Sequence, residues 1–184
     1  MTATLKIDFV SDVSCPWCAV GLGALEKALE RLQGTVSADL HFQPFELNPQ
    51  MPPGGQDITE HLTEKYGSTP EKQAEIREMI RQRGAEVGFE FRREGRGRIY
   101  NTFDAHRLLL RAERAGQPGQ QHALKKALLA AYHGRAESPE SHDVLLRLAT
   151  EVGLDAARVQ AVLDSDELAD DVRAQELMYQ RAGI

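Results

Sequence analysis

Leu5, Ile7 and Phe9 alternate with Lys6 and Asp8 in LKIDFV, a two-residue period that predicts a half-buried strand. SDVS follows as a turn. From Pro16 the apolar spacing changes. Val20, Leu22, Leu25, Ala28, Leu29 and Leu32 recur at helical intervals, and Gly34 supplies the stop. A second strand is expected over 35–45, TVSADLHFQPF, where Val36, Leu40 and Phe42 are apolar. Strand, helix and strand in this order make a parallel crossover unit.

After NPQMPPGGQ, the best boundary between substructures, the pattern is helical, and each segment carries its own punctuation. The segment 57–66 ends at Gly67. Ser68-Thr69-Pro70 starts a helix to about Val87, with Pro70 at the first helical position, where its missing N–H costs nothing. A short apolar FEF at 89–91 and the basic run RREGRGR, Arg92 to Arg98, intervene. Asn101 or Thr102 then caps a helix that stops at Gly116. Further helices are expected over 118–133, 141–152, 155–163 and 166–182.

At 184 residues the chain fits one domain, or one domain carrying a large insertion. It can bury roughly two thirds of its unfolded surface without staples. The 41% hydrophobic and 27% charged fractions are those of an ordinary globular protein. A formal charge of -6 argues against a general nucleic-acid binder, and no apolar run is long enough to span a bilayer. RREGRGR reads as a solvated loop. MTATLKIDF has no basic, then apolar, leader pattern, so the expected location is the cytoplasm, where thiols stay reduced.

That setting sharpens the meaning of the two cysteines, which stand together in SDVSCPWC at the strand-to-helix junction. A C-x-x-C pair there is the thioredoxin-like redox signal. Residues three apart at a helix start share a face, so the two sulfurs can close and reopen a small ring with little backbone motion. Cys15 lies at the exposed end, where unpaired N–H groups and the positive helix end favour a thiolate; this makes it the attacker. Cys18, a turn inside, is the resolving thiol. Pro16 holds the first turn and Trp17 adds apolar surface beside the sulfur, while Asp8 and Asp12 would oppose the thiolate. Plain packing and half of a zinc site are the rival readings. Zinc would need two further ligands, and no histidine forms a second close pair. His41 reads as a strand histidine, and His61, His122, His133 and His142 as helix-surface or helix-end residues.

SDVSCPWC, NTFDAHRL at 101–108 and YHGRAES from Tyr132 together resemble the DsbA-like thioredoxin superfamily over nearly the whole chain. The likeness is to its cytoplasmic FrnE-type branch, which is related to kappa-class glutathione transferases and 2-hydroxychromene-2-carboxylate isomerases. The resemblance implies an α/β thioredoxin-like fold with a large inserted helical domain. The core is then 1–50, the insertion 51–163, and 164–184 a helix returning to the core. A cis-proline loop, two strands and a last helix of that family would follow Ile184, where the sequence given stops.

The activity implied is disulfide exchange through Cys15 and Cys18, with substrate bound across the junction of core and insertion. Ser14, Pro16, Trp17, Asn101 and His106 are the candidate substrate-binding residues, with Trp17 in the apolar wall. On residue type alone, Asn101 and Thr102 are equally a helix cap and His106 a packing residue. No cofactor or metal is expected beyond the redox pair itself, with glutathione as a candidate co-substrate. The expected partners are thiol or disulfide proteins and small thiols, not nucleic acid or membrane; a homodimer is compatible with an open sheet edge. Two alternatives stay open. One is a glutathione-dependent transferase or isomerase in which Ser14 or Cys15 orients the bound thiolate. The other is a non-catalytic binding module.

Overall fold

The computed structural model describes residues 3–184. Strand β1 (Ala3–Ser11) and strand β2 (Val36–Pro44) lie parallel, in a register that sets Phe9 opposite Phe42. Helix α1 (Pro16–Arg31) makes the crossover between them. Parallel neighbours need such a connection, and its apolar stripe supplies the cover for one face of the sheet. Ala19 and Leu22 of α1 are buried with Phe42, and Phe9 and Leu40 pack against them. The rings of Phe9 and Phe42 meet edge to face at 5.8 Å.

The larger core lies elsewhere, among the helices. After a two-residue strand β3 (Gln56–Asp57) come α2 (Ile58–Tyr66) and α3 (Pro70–Glu86). Strand β4 (Arg98–Ile99) pairs antiparallel with β3. Then follow α4 (Phe103–Ala115), α5 (Gln120–Leu129), a π-turn (Ala130–Gly134), α6 (His142–Glu151), α7 (Ala156–Leu163) and α8 (Ala169–Arg181). Ala105, Leu108, Leu109, Leu124, Leu128, Leu145, Leu148, Val159 and Val162 bury one another here. Val13, from the loop after β1, is fully buried in this helical cluster rather than in the sheet. That insertion plants the C-P-W-C loop on the helices.

Local chemistry explains most boundaries. Asp57 caps α2 by accepting from the amides of Thr59 and Glu60, and Gly67 ends it at φ 64°, where a side chain would be strained. Thr69 accepts from Lys72 at the start of α3, with Pro70 following. Gly84 is required by a close approach: a Cβ there would stand 2.4 Å from the Phe91 ring. The FEF stretch thereby lies flat on α3 and is not a strand. The buried guanidinium of Arg107 on α4 donates to the Val162, Ser165 and Glu167 carbonyls and pairs with Asp104, tying α7 and the turn into α8 to α4.

Three sequence expectations change. The 118–133 helix is a shorter α5 plus a π-turn, which rotates Tyr132 and His133 into the interior, both nearly unexposed. The last helix begins at Ala169, after Leu168 in a left-handed conformation, rather than at Asp166. The basic run is not simply solvated. Arg98 donates to the Gly54 and Gly55 carbonyls, and Arg96 packs on the loop before Cys15.

Candidate active site

Asp12 organises the loop between β1 and α1. Its carboxylate, almost without exposure, accepts from the Ser14 amide at 3.1 Å and the Ser14 hydroxyl at 2.9 Å. It also accepts from the Leu47 amide at 2.7 Å, the Thr102 hydroxyl at 2.8 Å and His106 Nε2 at 3.4 Å. Burial would raise its pKa, but the His106 contact and the amides of Leu47 and Ser14 outweigh that and hold it well below the ordinary carboxylate range. Three separate chain segments thus converge on one carboxylate.

Cys15 is the N-cap of α1, with Pro16 in the first turn. Its amide donates to the Asp12 carbonyl at 3.3 Å, and its own carbonyl accepts from the Cys18 amide at 3.2 Å. Both cysteines are free and half-buried. The Cys18 thiol, first of all, and the amides of Cys18 and Trp17 hydrogen-bond the Cys15 sulfur; against burial and the nearby Asp12 charge they lower its pKa to about 6. The Cys18 thiol is pushed far up, because it gives its hydrogen to Cys15, is buried, and faces that negative sulfur. One thiol is thus ready to ionise and the other is held protonated.

A second clamp sits on the opposite side of the loop. Arg96 donates to the Ser14 carbonyl and to His133 Nδ1, 3.2 Å away, and its guanidinium lies 5.1 Å from the centre of the Tyr132 ring. His133 Nε2 donates to the Val13 carbonyl at 2.9 Å. Those two partners require the neutral tautomer protonated on Nε2, and burial, with the Arg96 charge beside it, lowers the His133 pKa well below its ordinary value. Behind the loop, Lys125 on α5 is fully buried.

The residues picked from sequence therefore occupy different surroundings. Cys15 and Cys18 face each other. Ser14 and His106 are buried and turned inward onto Asp12. Asn101 accepts from the Phe103 amide at 2.9 Å and so caps α4, which frees the Thr102 hydroxyl for Asp12. Trp17 is 46% exposed and lines neither of two surface cavities, one of about 410 Å³ beside His61 and one of about 850 Å³ floored by Ala19, Leu22, Phe89, Phe91 and Leu129. Arg96, Lys125 and His133 escaped sequence reading. Arg96 stood in a basic run, Lys125 in a helix rich in lysine, and His133 at a helix end that turns out to be a π-turn. His41 pairs with Asp39 and Glu113 and is half-buried. Among the described residues no group of three or more His, Cys, Asp or Glu could hold a metal ion.

A C-x-x-C pair at the amino end of the crossover helix between parallel strands, with helices covering the sheet, defines a protein of the thioredoxin-like class. The chain belongs to the DSBA-like thioredoxin domain family, which it matches over residues 6–184. It is similar, at 32% identity and a TM-score of 0.86, to the crystal structure of a probable DsbA oxidoreductase, SCO1869, from Streptomyces coelicolor; the match covers 97% of this chain and 76% of that one. The uncharacterized protein YwbO of Bacillus subtilis (strain 168) is 26% identical over 98% of this chain and 83% of its own. The cytosolic disulfide reductase DsbM of Pseudomonas aeruginosa, in a structure with GSH, shares the fold at a TM-score of 0.62 and 18% identity, over 97% of this chain and 81% of that one. No described helix is long and apolar enough to cross a membrane.

Proposed function

We propose that the protein is a thiol-disulfide oxidoreductase in which Cys15 attacks and Cys18 resolves. The observation that carries this reading is the placement of Cys15 at the N-cap of α1 with Cys18 one turn inside, its amide donating to the Cys15 carbonyl; the contact between the two thiols pushes the Cys15 thiol down and the Cys18 thiol up. In the reducing direction the Cys15 thiolate attacks a substrate disulfide R–S–S–R, forming Cys15–S–S–R and releasing one R–S⁻. Cys18 loses its proton to solvent and attacks the Cys15 sulfur, releasing the second R–S⁻ and leaving the Cys15–Cys18 disulfide. The substrate's two sulfurs are reduced and the pair is oxidised. The oxidising direction is the same path reversed.

Protein disulfides, small thiols and glutathione as co-substrate are the reactants this site suits, and the cytoplasm is the compartment we assign. The helical stretch 51–163 reads as an insertion between the 1–50 core and the 164–184 return helix; the packing of α8 on β2 supports the return to the core, and α4 and α5 of the insertion pack on the same strand. The inward turn of the Ser14 hydroxyl favours redox chemistry over a reaction in which Ser14 orients bound glutathione.

Mass spectrometry after mild oxidation should show loss of two hydrogens within one chain. Cys18→Ser should accumulate mixed disulfides with glutathione, and Cys15→Ser almost none. Two freely alkylated thiols after oxidation would overturn the redox reading. Conversion of a glutathione-dependent isomerase substrate by Cys18→Ser at the wild-type rate would favour the isomerase.

A further inference from the structure

Lys125 is a charged side chain outside the Cys15–Cys18 pair that makes and breaks bonds in the exchange. It lies on α5 with no exposure, and among the described residues its one hydrogen bond is a long one, 3.5 Å from Nζ to the Ser11 carbonyl. A buried ammonium with so little hydrogen bonding is costly unless nearby negative charge offsets it. Ser11 and Asp12 share a peptide: Lys125 meets its carbonyl, while its N–H, that of Asp12, points at the Cys18 sulfur. The ionisable groups facing this space are Asp12 on the loop, Cys15 and Cys18 on α1, and His133 on the π-turn, with His106 on α4 reaching Asp12 from beyond.

Asp12 cannot serve as the group that adjusts to Cys18. Its two oxygens already accept from five donors, so at neutral pH it remains a fixed negative charge, and a fixed negative charge opposes a second one on Cys18. His133 is neutral, its Nδ1 taken by Arg96. The cation that faces Cys18 is Lys125.

We propose that Lys125 is a positioning residue for the resolving half of the exchange: its buried ammonium offsets the charge that forms on the Cys18 sulfur when that thiol attacks the mixed disulfide at Cys15. The inference rests on the assignment of Cys15 as attacker and Cys18 as resolver. It locates the control of the second step on α5, outside the strand-helix-strand unit that carries the thiols. In a dry interior a charge of this kind acts at several ångströms with little screening, so direct contact with sulfur is not required. Burial lowers the Lys125 pKa to about 8 against the opposing negative charges of Cys18, Asp12 and Cys15, so the side chain is a cation at about pH 7 and loses that charge as pH rises above about 8.

The test is two-phase release of thionitrobenzoate from dithionitrobenzoate, an aromatic disulfide. The first equivalent leaves when Cys15 attacks, and the second when Cys18 resolves the mixed disulfide. Lys125→Gln keeps a donor for the Ser11 carbonyl without the charge, Lys125→Met removes both, and Lys125→Arg keeps the cation. The glutamine and methionine variants should leave the first phase within about twofold of wild type. They should slow the second by about tenfold or more at about pH 7, one pKa unit on the attacking thiol, with the deficit closing as pH rises toward about 9.5. Lys125→Arg should restore part of the second phase. An unchanged second phase in a folded glutamine variant, or a deficit equal at both pH values, overturns the proposal. If the methionine variant fails to fold, the glutamine variant carries the test alone; if neither charge-free variant folds, the role is structural and the proposal fails. Absence of a fast first phase in wild type would instead count against Cys15 as attacker, a separately readable result.

Discussion

The Thr102 hydroxyl donates to the Asp12 carboxylate at 2.8 Å across 90 positions of sequence, joining the start of α4 to the loop that presents Cys15. The bond is buried and its acceptor charged, a combination stronger than a neutral hydrogen bond. It also accounts for an oddity of α4: Thr102 occupies the N-cap without capping, because Asn101 has taken over that task.

Thr102→Val should therefore cost about 1 to 3 kcal/mol of stability, since the side-chain shape is kept and only the bond to a buried charge is lost. Asn101→Ala, which removes an ordinary cap bond, should cost about 1 kcal/mol. Urea unfolding monitored at Trp17 or by circular dichroism gives both values. A Thr102→Val variant as stable as wild type would show that the Asp12 cluster is satisfied without α4.

The Asp12 carboxyl is held far below its unfolded value of about 3.9, so its contribution to stability is fully present above that pH. It is lost progressively as pH falls toward the folded pKa, because only the unfolded chain then takes up the proton readily. Asp12→Asn should be much less stable than wild type at about pH 7, and the gap should narrow by about 1 kcal/mol at about pH 3. Denaturation midpoints at the two pH values measure it, and a gap that widens in acid would reverse the sign.

Glu46 and Glu176 behave oppositely. Both are nearly unexposed, and Arg173 pairs with both; burial first, and for Glu46 the neighbouring charge of Glu176, raise their pKa values despite that arginine. A raised carboxyl stabilises the fold below its unfolded pKa, and that stability is lost as pH rises through the folded value. Glu176→Gln should raise the melting temperature by a few degrees at about pH 7, where it relieves a buried charge, and change it little at about pH 4.5. A variant less stable at both values would show that the charge is wanted.

Alkylation of Cys15 should be half-maximal near pH 6 in the wild-type dithiol form. Because the Cys18 thiol is the first cause of that low value, Cys18→Ala should move the midpoint upward toward the ordinary cysteine value of about 8.5. The helix-start amides remain, so the shift should fall short of the whole difference. Iodoacetamide rates against pH read both midpoints, and coincident profiles would assign the low value to the backbone alone.

Read from the chain, the elements themselves were largely determined: alternation placed β1 and β2, helical spacing placed α1, and Gly67, Pro70 and Gly116 placed breaks that local backbone chemistry enforces wherever they fall. The C-P-W-C pair was legible for the same reason, since both cysteines lie within one helical turn and their relation is local. What only the tertiary structure decided is everything carried by contacts between distant segments. Val13 enters the helical core, not the sheet, because α4, α5 and α6 close around it. Ser14 and His106 turn inward because Asp12, buried among them, must collect donors from wherever the fold brings them. Arg96 and His133 clamp the loop from a basic run and from a helix end, and Lys125 reaches the Ser11 carbonyl from α5. Periodicity encodes which face of an element is apolar. It cannot encode which buried charge that face will meet, because the meeting depends on how separate helices pack, and packing is a property of the whole chain.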